Sequence, residues 1–448
     1  MVLPPPSRSE PTPDCAPSAD PAAPPAPAVA APSLVADLEA ALRPAWVDVD
    51  LGALEHNLRL MQRRLGAVRI MAMVKADAYG HGAIGVSRAL AAAGVDWLGV
   101  ALLEEGAEIR RAGIELPILV LGTARPAKIA LYRRYRLVPT VSSLAELALW
   151  RDFAEAERGE GGDAQPIHLK VDTGMGRLGV ALDEMGEALD LVRRDRRLRL
   201  AGLLSHFAEA DDRLSPRNAQ QEVRFAAVLS LLSPAERREA LVHMANSAAA
   251  LYRPASRYQL VRLGLALYGL DPAAAPPPPR SDSSAKNTDA PPGVAIRSDA
   301  LLPVMSVRAQ IVQLREVPAG APLSYGGRTV TRRPSRIAVV PVGYADGYGW
   351  RLTGRAEALL RGRRVPVAGT VTMDMTLLDV TETGAELGDE VVLLGRQGSE
   401  EISAPELARD AGTISWEILC HLGLRLPRRY IREGRVEELV SRFSREDG

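Results

Sequence analysis

The stretch IMAMVKADAYGHGAIGVSRALAAAGVDWLGVAL, residues 70–102, contains two short apolar runs with a longer run between them. The outer runs, residues 70–75 and 97–102, have the length of buried strands. The inner run, AIGVSRALAAAG, repeats its apolar residues at helical spacing. A strand, a helix and a second strand in this order predict a βαβ unit with parallel strands.

The same alternation of short apolar runs and amphipathic runs continues to residue 263. Eight strands are predicted, at residues 70–75, 97–102, 118–121, 137–141, 167–171, 200–205, 241–243 and 258–263. Eight strand–helix units predict an α/β fold, a (β/α)8 barrel of the TIM type over residues 44–270, with a doubly wound open sheet as the alternative. In such barrels the active-site groups lie at the C-terminal ends of the strands.

Two proline-rich segments divide the rest of the chain. We expect residues 1–36 to be a disordered Pro/Ala-rich tail, because this composition cannot bury enough apolar surface to offset chain entropy. Residues 271–300 are predicted to be a low-complexity linker or surface insertion. After it, residues 301–435 hold short strands between Gly, Asp and Arg turns, which predict a separate β-rich C-terminal domain. One more strand, residues 45–51, could pair with either domain.

Composition argues against several classes of protein. The chain has 55 acidic and 55 basic residues, so its charge gives no reason to expect a nucleic-acid or anionic-membrane partner. No stretch approaches the roughly 20 apolar residues of a membrane-spanning helix, and the N-terminus does not read as a secretion signal. Two cysteines, Cys15 and Cys420, cannot form a disulfide framework. We therefore expect a cytoplasmic protein, and the six histidines show no spacing typical of a metal site.

Lysine is scarce, with four among the 55 basic residues, and Lys75 ends the first predicted barrel strand. A lysine amine can lose its proton and attack a carbonyl, which a guanidinium cannot do. Burial at the barrel mouth would lower the pKa of this amine. Lys75 is therefore a candidate for covalent attachment of pyridoxal phosphate, and a surface or salt-bridged lysine is the alternative.

The segment VKADAYGHG, residues 74–82, resembles the cofactor-lysine motif of alanine racemases, pyridoxal-phosphate enzymes with a barrel and a β domain. Further motifs resemble the same family in the same order, namely KVDTGMGRLG (170–179), SHFAEAD (205–211), HMANSAAAL (243–251), VRLGLALYGL (261–270), LSYGG (323–327), PVGYADGY (341–348) and GTVTMDM (369–375). The resemblance implies interconversion of L-alanine and D-alanine, supplying D-alanine for peptidoglycan, by a homodimer with composite active sites. The alternatives are a broader amino-acid racemase on the same scaffold, acting on serine and others, and a non-catalytic pyridoxal-phosphate carrier.

The resemblance also implies roles around the cofactor ring. Lys75 would hold the cofactor and serve as one of two bases, because racemisation needs a base on each face of a planar carbanion. Tyr325 would be the second base and would come from the partner subunit. Arg262 would face the pyridine nitrogen, and His206 would link Arg262 to Tyr325 by hydrogen bonds. His243 resembles another member of this network.

Further roles concern the cofactor phosphate and the substrate. The phosphate would be bound by one tyrosine and by residues that follow the seventh and eighth strands, namely Tyr79, Asn246, Ser247, Gly264 and Leu265. The substrate carboxylate would be bound by Arg177 and by the backbone N–H of Met373 from the partner subunit. Lys170, a position often carbamylated in this family, would orient Arg177. Asp374 and Tyr344 are expected at the entrance or on the substrate side.

The chain departs from the family pattern near its C-terminus. In TISWEILCHLGLRLPRRY, residues 413–430, Leu424 stands where the family motif usually carries a tyrosine that reaches the phosphate and crowds the substrate. The loss of that tyrosine predicts looser cofactor binding and tolerance of side chains larger than a methyl group. The predicted insertion at residues 271–300 is also longer than the usual connection and receives no catalytic role.

Overall fold

The computed structural model describes residues 42–125, 128–156, 164–272 and 301–441. The predicted tail at residues 1–36, and residues 273–300 of the predicted insertion, lie outside the described residues. The described chain begins with strand β1 (Ala45–Asp50) and helix α1 (Leu51–Leu65). The Asp50 carboxylate caps α1 by accepting a hydrogen bond from the Ala53 N–H at 2.9 Å.

Eight parallel strands form the barrel, each at a predicted position. They are β2 (Arg69–Met73), β3 (Trp97–Val100), β4 (Ile118–Val120), β5 (Leu137–Val141), β6 (Gln165–Lys170), β7 (Leu198–Leu204), β8 (Leu241–His243) and β9 (Leu260–Leu263). They pair in the order β8-β7-β6-β5-β4-β3-β2-β9. The backbone N–H of Gln259 donates to the Val242 carbonyl at 3.2 Å, and that of Arg262 donates to the Ala245 carbonyl at 3.0 Å. These bonds join β8 to β9, so the predicted barrel is confirmed and the open sheet is not what forms.

Helices follow the strands on the outside of the barrel. Those of the described residues are α2 (Ala83–Ala92), α3 (Leu103–Arg111), α4 (Ile129–Arg134), α5 (Leu144–Ala156), α6 (Met185–Arg194), α7 (Pro216–Leu229), α8 (Pro234–Glu239) and α9 (Ser247–Tyr252). Alternate residues of β2 divide between two buried clusters. Ile70 and Ala72 belong to the main core, whereas Met71 and Met73 pack with Leu119 in a second cluster. This division follows from the two-residue period of a strand.

The C-terminal domain is rich in β-structure, as predicted. Its strands are β10 (Met305–Gln310), β11 (Gln313–Val317), β12 (Pro322–Leu323), β13 (Thr329–Val330), β14 (Ser335–Val340), β15 (Glu357–Leu360), β16 (Arg363–Pro366), β17 (Thr376–Asp379), β18 (Glu390–Gln397), β19 (Glu400–Ile402), β20 (Arg428–Arg432) and β21 (Arg435–Val440). Two helices, α10 (Ala404–Ala411) and α11 (Ser415–His421), interrupt them. The largest sheet of this domain has the order β16-β15-β18-β10-β1-β20-β21, and β19 pairs with β18.

Strand β1 lies in this second sheet, although the predicted barrel range of residues 44–270 included it. It pairs antiparallel with β10 and parallel with β20. The barrel is already complete with the eight strands that follow, so β1 has no free edge to join there. The second sheet also continues through β21, beyond the predicted end at residue 435. Strand β1, which precedes the barrel in sequence, therefore belongs to the sheet of the C-terminal domain and connects the two domains.

Candidate active site

A cavity of about 760 Å³ opens at the C-terminal ends of the barrel strands. Ten of the predicted site residues line it, namely Lys75, Tyr79, Lys170, Arg177, His206, Asn246, Ser247, Arg262, Gly264 and Leu265. They follow strands that are far apart in sequence but adjacent in the barrel. The folded chain thus brings these ten residues together, and His243, also predicted, contacts Arg262 without lining the cavity.

The four predicted site residues of the C-terminal domain do not line this cavity. Tyr325 is 76% exposed and Met373 is 52% exposed. Tyr344 and Asp374 are also exposed at the surface. Their positions leave these side chains accessible to another molecule, which is the arrangement that a composite site between two subunits requires.

The segment Lys75–Tyr79, called the lysine turn below, has an unusual backbone. Four consecutive residues after Lys75, none of them glycine, have φ values between 52° and 55°, in the left-handed region. Each such residue costs roughly 1–2 kcal/mol relative to a right-handed conformation. Asp77 supports the turn by accepting a hydrogen bond from the Ala83 N–H at 2.7 Å. A strained backbone that tertiary contacts stabilise is common at functional sites.

The surroundings of the Lys75 amine favour its neutral form. Its pKa is lowered, first by burial and then by the nearby Arg177 guanidinium. Glu105 and Cys420 act in the opposite direction and raise the pKa. A lowered pKa increases the fraction of neutral amine, which is the form that attacks a carbonyl or accepts a proton.

Arg262 is the centre of a buried hydrogen-bond network. Its side chain is 4% exposed and donates to the carbonyl oxygens of Ser205 at 2.7 Å and Met244 at 3.0 Å. Its Nη1 lies 2.8 Å from His243 Nδ1, and its Nη2 lies 3.0 Å from His206 Nδ1. Burial lowers the pKa of Arg262 to about 10, so the guanidinium remains charged at neutral pH.

The two histidines that contact Arg262 are neutral. Burial, followed by the charge of Arg262, holds the pKa of both His206 and His243 well below the usual value. Because the guanidinium only donates, each ring accepts at Nδ1 and carries its proton on Nε2. His243 Nε2 then donates to His168 Nδ1 at 2.9 Å, which extends the network to a histidine that the sequence analysis did not single out.

On the opposite side of the cavity, Tyr79, Ser247 and Gly264 form a cradle. The Ser247 hydroxyl oxygen accepts a hydrogen bond from the Gly264 N–H at 2.9 Å. A Cβ atom at Gly264 would lie 2.6 Å from the Tyr79 hydroxyl, so only glycine allows this approach. Hydroxyl and amide groups near a helix N-terminus suit a phosphate, and the cationic cavity around them suits its charge.

Lys170 and Arg177, the residues predicted to serve the substrate carboxylate, also line the cavity. Burial, followed by the charges of Arg262 and Arg177, lowers the pKa of Lys170 to about 8. The loop that carries Arg177 is shaped by Asp172, whose Oδ1 accepts from the N–H groups of Gly174 and Met175, both at 2.8 Å. Lys170 and Arg177 therefore lie near each other in the cavity wall, and the pKa of the Lys170 amine is close to neutral pH.

Several residues of the cavity were not predicted from the sequence. Glu105 lies in the first turn of α3 and accepts a hydrogen bond from the Ala76 N–H at 2.7 Å. Its place at the start of the helix that follows β3 was the available signal. Trp416 and Cys420 line the cavity from α11 of the C-terminal domain, and no local pattern relates them to the barrel.

Leu424 does not line the cavity and is 41% exposed. In the single chain Leu424 thus forms no part of the cavity wall. Its predicted effects on cofactor binding and on substrate size stay predictions.

Within the described ranges, no group of three or more His, Cys, Asp or Glu side chains is arranged to hold a metal ion. None of the described helices combines the length and apolarity needed to cross a membrane.

A (β/α)8 barrel with a buried arginine held by neutral histidines, and with a lysine of lowered pKa at its mouth, is typical of a barrel enzyme. Comparisons with known proteins show to which family this barrel enzyme belongs. The family model for the alanine racemase N-terminal domain matches residues 49–272, and the model for the C-terminal domain matches residues 304–430. The chain belongs to the alanine racemase family and is an enzyme of the isomerase class.

Named relatives cover almost the whole described chain. An alanine racemase of Symbiobacterium thermophilum is 42% identical over 393 residues, which are 87% of this chain and 97% of the relative. Among solved structures, the alanine racemase of Bacillus anthracis with bound L-Ala-P has a TM-score of 0.79 at 34% identity, over 90% of this chain and 99% of that one. The alanine racemase of Bartonella henselae, with covalently bound pyridoxal phosphate, has a TM-score of 0.73 at 28% identity, over 87% of this chain and 99% of that one.

Proposed function

We propose that the chain interconverts L-alanine and D-alanine with pyridoxal phosphate held covalently on Lys75. The observation that carries this proposal is the cavity that brings the amine of Lys75, whose pKa burial lowers, together with a charged, buried Arg262 and the cradle around Gly264. The names of the relatives and the bound cofactor of the Bartonella structure support it. The metabolic role that follows is the supply of D-alanine for peptidoglycan, in the cytoplasm.

The residues of the cavity fit this cofactor. Lys75 would hold its aldehyde carbon, and Tyr79, Ser247 and the N–H groups of Gly264 and Leu265 would bind its phosphate. Asn246 caps α9 by accepting from the Ala249 N–H at 3.0 Å, which orients the Ser247 end of this helix. When bound, pyridoxal phosphate supplies an electron sink that stabilises negative charge on the substrate α-carbon.

Arg262 would limit the strength of that electron sink. A guanidinium with a pKa of about 10 donates a hydrogen bond but does not release its proton at neutral pH. Facing the cofactor ring nitrogen, Arg262 would supply a hydrogen bond but no proton, so the cofactor would be a weaker electron sink than one paired with a carboxylate. A weaker electron sink would favour fewer side reactions such as transamination, which suits racemisation. His206 and His243 hold the guanidinium in place.

Two bases would exchange the proton on the substrate α-carbon. In one direction the neutral amine of Lys75 would accept the proton from one face while the hydroxyl of Tyr325 of the partner subunit donates its proton to the other. In the reverse direction the Tyr325 phenolate would accept the proton and the Lys75 ammonium would donate one. One base alone would return the proton to the face from which it came. The exposure of Tyr325 supports its delivery to a second copy of the chain, so we propose a homodimer with composite active sites.

The substrate carboxylate would be bound by Arg177, which a planar guanidinium can do through two parallel hydrogen bonds. Met373 of the partner subunit would add a backbone N–H, and Tyr344 and Asp374 would lie near the entrance. Lys170 would carry a carbamate formed with CO₂, since its pKa of about 8 provides neutral amine near physiological pH. The negative carbamate would orient Arg177.

The test is a direct assay of the full chain. Purified protein incubated with pyridoxal phosphate should show the visible absorbance of the lysine-bound cofactor. It should also convert pure L-alanine to a racemic mixture, as measured by chiral chromatography. Absorbance without racemisation would indicate a cofactor carrier and would contradict the proposal. Equal rates with L-serine and L-alanine would favour the broader racemase instead.

A further inference from the structure

The strained lysine turn is anchored at its start by Glu105. Oε1 of this carboxylate accepts from the Ala76 N–H at 2.7 Å, and Oε2 accepts from the N–H groups of Ala101 at 2.8 Å and Leu102 at 3.0 Å. One side chain therefore connects the residue after Lys75 to the residues that follow β3. Hydrogen bonds to an ionised carboxylate are stronger than those between neutral groups.

The end of the turn is anchored by Arg428, which comes from β20 of the C-terminal domain. Its side chain is 3% exposed. Nη2 donates to the carbonyl oxygens of Gly80 at 2.9 Å and Leu422 at 2.7 Å, and Nη1 donates to those of Leu426 at 2.8 Å and Gly423 at 2.5 Å. The planar, forked guanidinium thus binds the residue after Tyr79 and three carbonyls of its own domain at once.

The two domains are in close contact beside the lysine turn. Gly80 has φ 81°, and a Cβ atom there would lie 2.2 Å from the Leu419 carbonyl oxygen. A Cβ atom at Gly82 would lie 1.9 Å from the Tyr430 hydroxyl. The glycines after the turn therefore let the C-terminal domain approach the backbone that Arg428 binds.

We propose that Glu105 and Arg428 are positioning residues that hold the lysine turn from its two ends, Glu105 placing Lys75 and Arg428 placing Tyr79. The proposal rests on the proposed function only in taking Lys75 and Tyr79 as ligands of the cofactor. Glu105 acts on the amide next to Lys75, so its loss affects covalent attachment. Arg428 acts on the carbonyl next to Tyr79, so its loss affects recognition of the phosphate.

Glu105 also has an electrostatic effect that gives a separate signal. The charged and titratable groups around Lys75 are Glu105, Lys170, Arg177, His206, Arg262 and Cys420. Glu105 raises the pKa of Lys75, whereas Arg177 and Arg262 lower it. Removing the charge with Glu105→Gln should lower this pKa further, so the acid limb of the kcat profile, which reports the enzyme–substrate complex in which the Lys75 amine is free, should move to lower pH. A side chain with a purely structural role would not move it.

The first experiment measures hydrogen–deuterium exchange of the amides of residues 76–82 in the full chain without cofactor. Glu105→Ala should speed exchange at Ala76 about tenfold or more, because this amide loses its charged acceptor. Arg428→Met should do the same at residues 80–82, with Arg428→Lys intermediate. Controls are Glu104→Gln, an exposed carboxylate next to Glu105 that pairs with Lys128, and Arg429→Lys, which pairs with Asp48. The controls should exchange as the parent chain does.

The second experiment compares binding of pyridoxal phosphate with that of pyridoxal, which lacks the phosphate. Arg428→Lys should weaken binding of the phosphate form about tenfold with little change for pyridoxal, whereas Glu105→Gln should weaken both. Unchanged exchange at residues 76–82 in Glu105→Ala, Arg428→Met and Arg428→Lys, or an unchanged ratio of the two affinities in Arg428→Lys, would overturn the proposal. If the parent chain binds no pyridoxal phosphate, the proposed function fails, while the exchange data still decide whether the turn is held.

Discussion

Lysine and arginine have separate tasks in this cavity. The amine of Lys75 has a lowered pKa and can exist in the neutral form, which a nucleophile and a base require. Arg262 stays charged even though it is buried among neutral histidines. In a chain with four lysines, two of them line this cavity. The scarce lysines therefore point to the cavity in which we propose that the chemistry takes place.

Lys75→Arg should abolish function while preserving the fold. The guanidinium keeps the positive charge, but it cannot attack the cofactor aldehyde or accept a proton at neutral pH. We expect no visible absorbance from bound cofactor and a loss of racemisation of about a thousandfold or more. Circular dichroism should be unchanged, and Lys128→Arg at the surface is the control. A Lys75→Arg protein with the parent absorbance would contradict the assignment of Lys75.

Carbamylation of Lys170 should depend on pH. Only the neutral amine reacts with CO₂, and a pKa of about 8 makes it neutral in about a tenth of molecules at pH 7 and about nine tenths at pH 9. At constant dissolved CO₂, the carbamate signal in ¹³C NMR should therefore rise between these pH values. Lys170→Arg should show no signal. A signal that is independent of pH, or that persists in this variant, would refute the prediction.

At the level of elements, sequence periodicity predicted the barrel strands because each is buried on both faces and bounded by turns. The same reasoning could not place β1, whose apolar alternation fits either sheet. It also missed Glu105 and Trp416. In the sequence Glu105 looks like any carboxylate in the first turn of a helix. Trp416 reaches the cavity only because α11 packs against the lysine turn. Contacts between distant elements leave no local signal.

Close packing of α2 against β20 gives a stability prediction. A Cβ atom at Gly85 would lie 2.3 Å from Tyr430 Cζ, so Gly85→Ala should destabilise the fold by about 1–3 kcal/mol. Gly186 also lies in the first turn of a helix, and a Cβ atom there meets nothing within 4 Å. Gly186→Ala should therefore stabilise the fold, by up to about 1 kcal/mol.

Urea unfolding of the two alanine variants and the parent chain measures these effects. The matched pair separates packing from helix propensity, which favours alanine equally in both helices. Adding Tyr430→Leu should recover part of the loss in Gly85→Ala, because it removes the ring that alanine overlaps. If both alanine variants were equally stable, the close approach of the two domains would be refuted.

At the scale of the whole molecule, the described cavity holds only one of the two bases that we propose for racemisation. The barrel supplies Lys75, and the helix α11 of the same chain closes part of the cavity wall. The proposed second base, Tyr325, lies outside the cavity and is largely exposed. The family resemblance implies that this tyrosine serves the partner subunit, whereas no local pattern indicates which subunit would use it.

Hybrid dimers test this composite site. One chain would carry Lys75→Arg and the other Tyr325→Phe, with different affinity tags so that only mixed dimers are purified. In such a dimer one site has lost both bases, and the other combines Lys75 of one chain with Tyr325 of its partner. We predict that the mixed dimer racemises L-alanine at about half the rate of the parent dimer, although each variant alone is nearly inactive. Mixed dimers that are no more active than the separate variants would contradict the account.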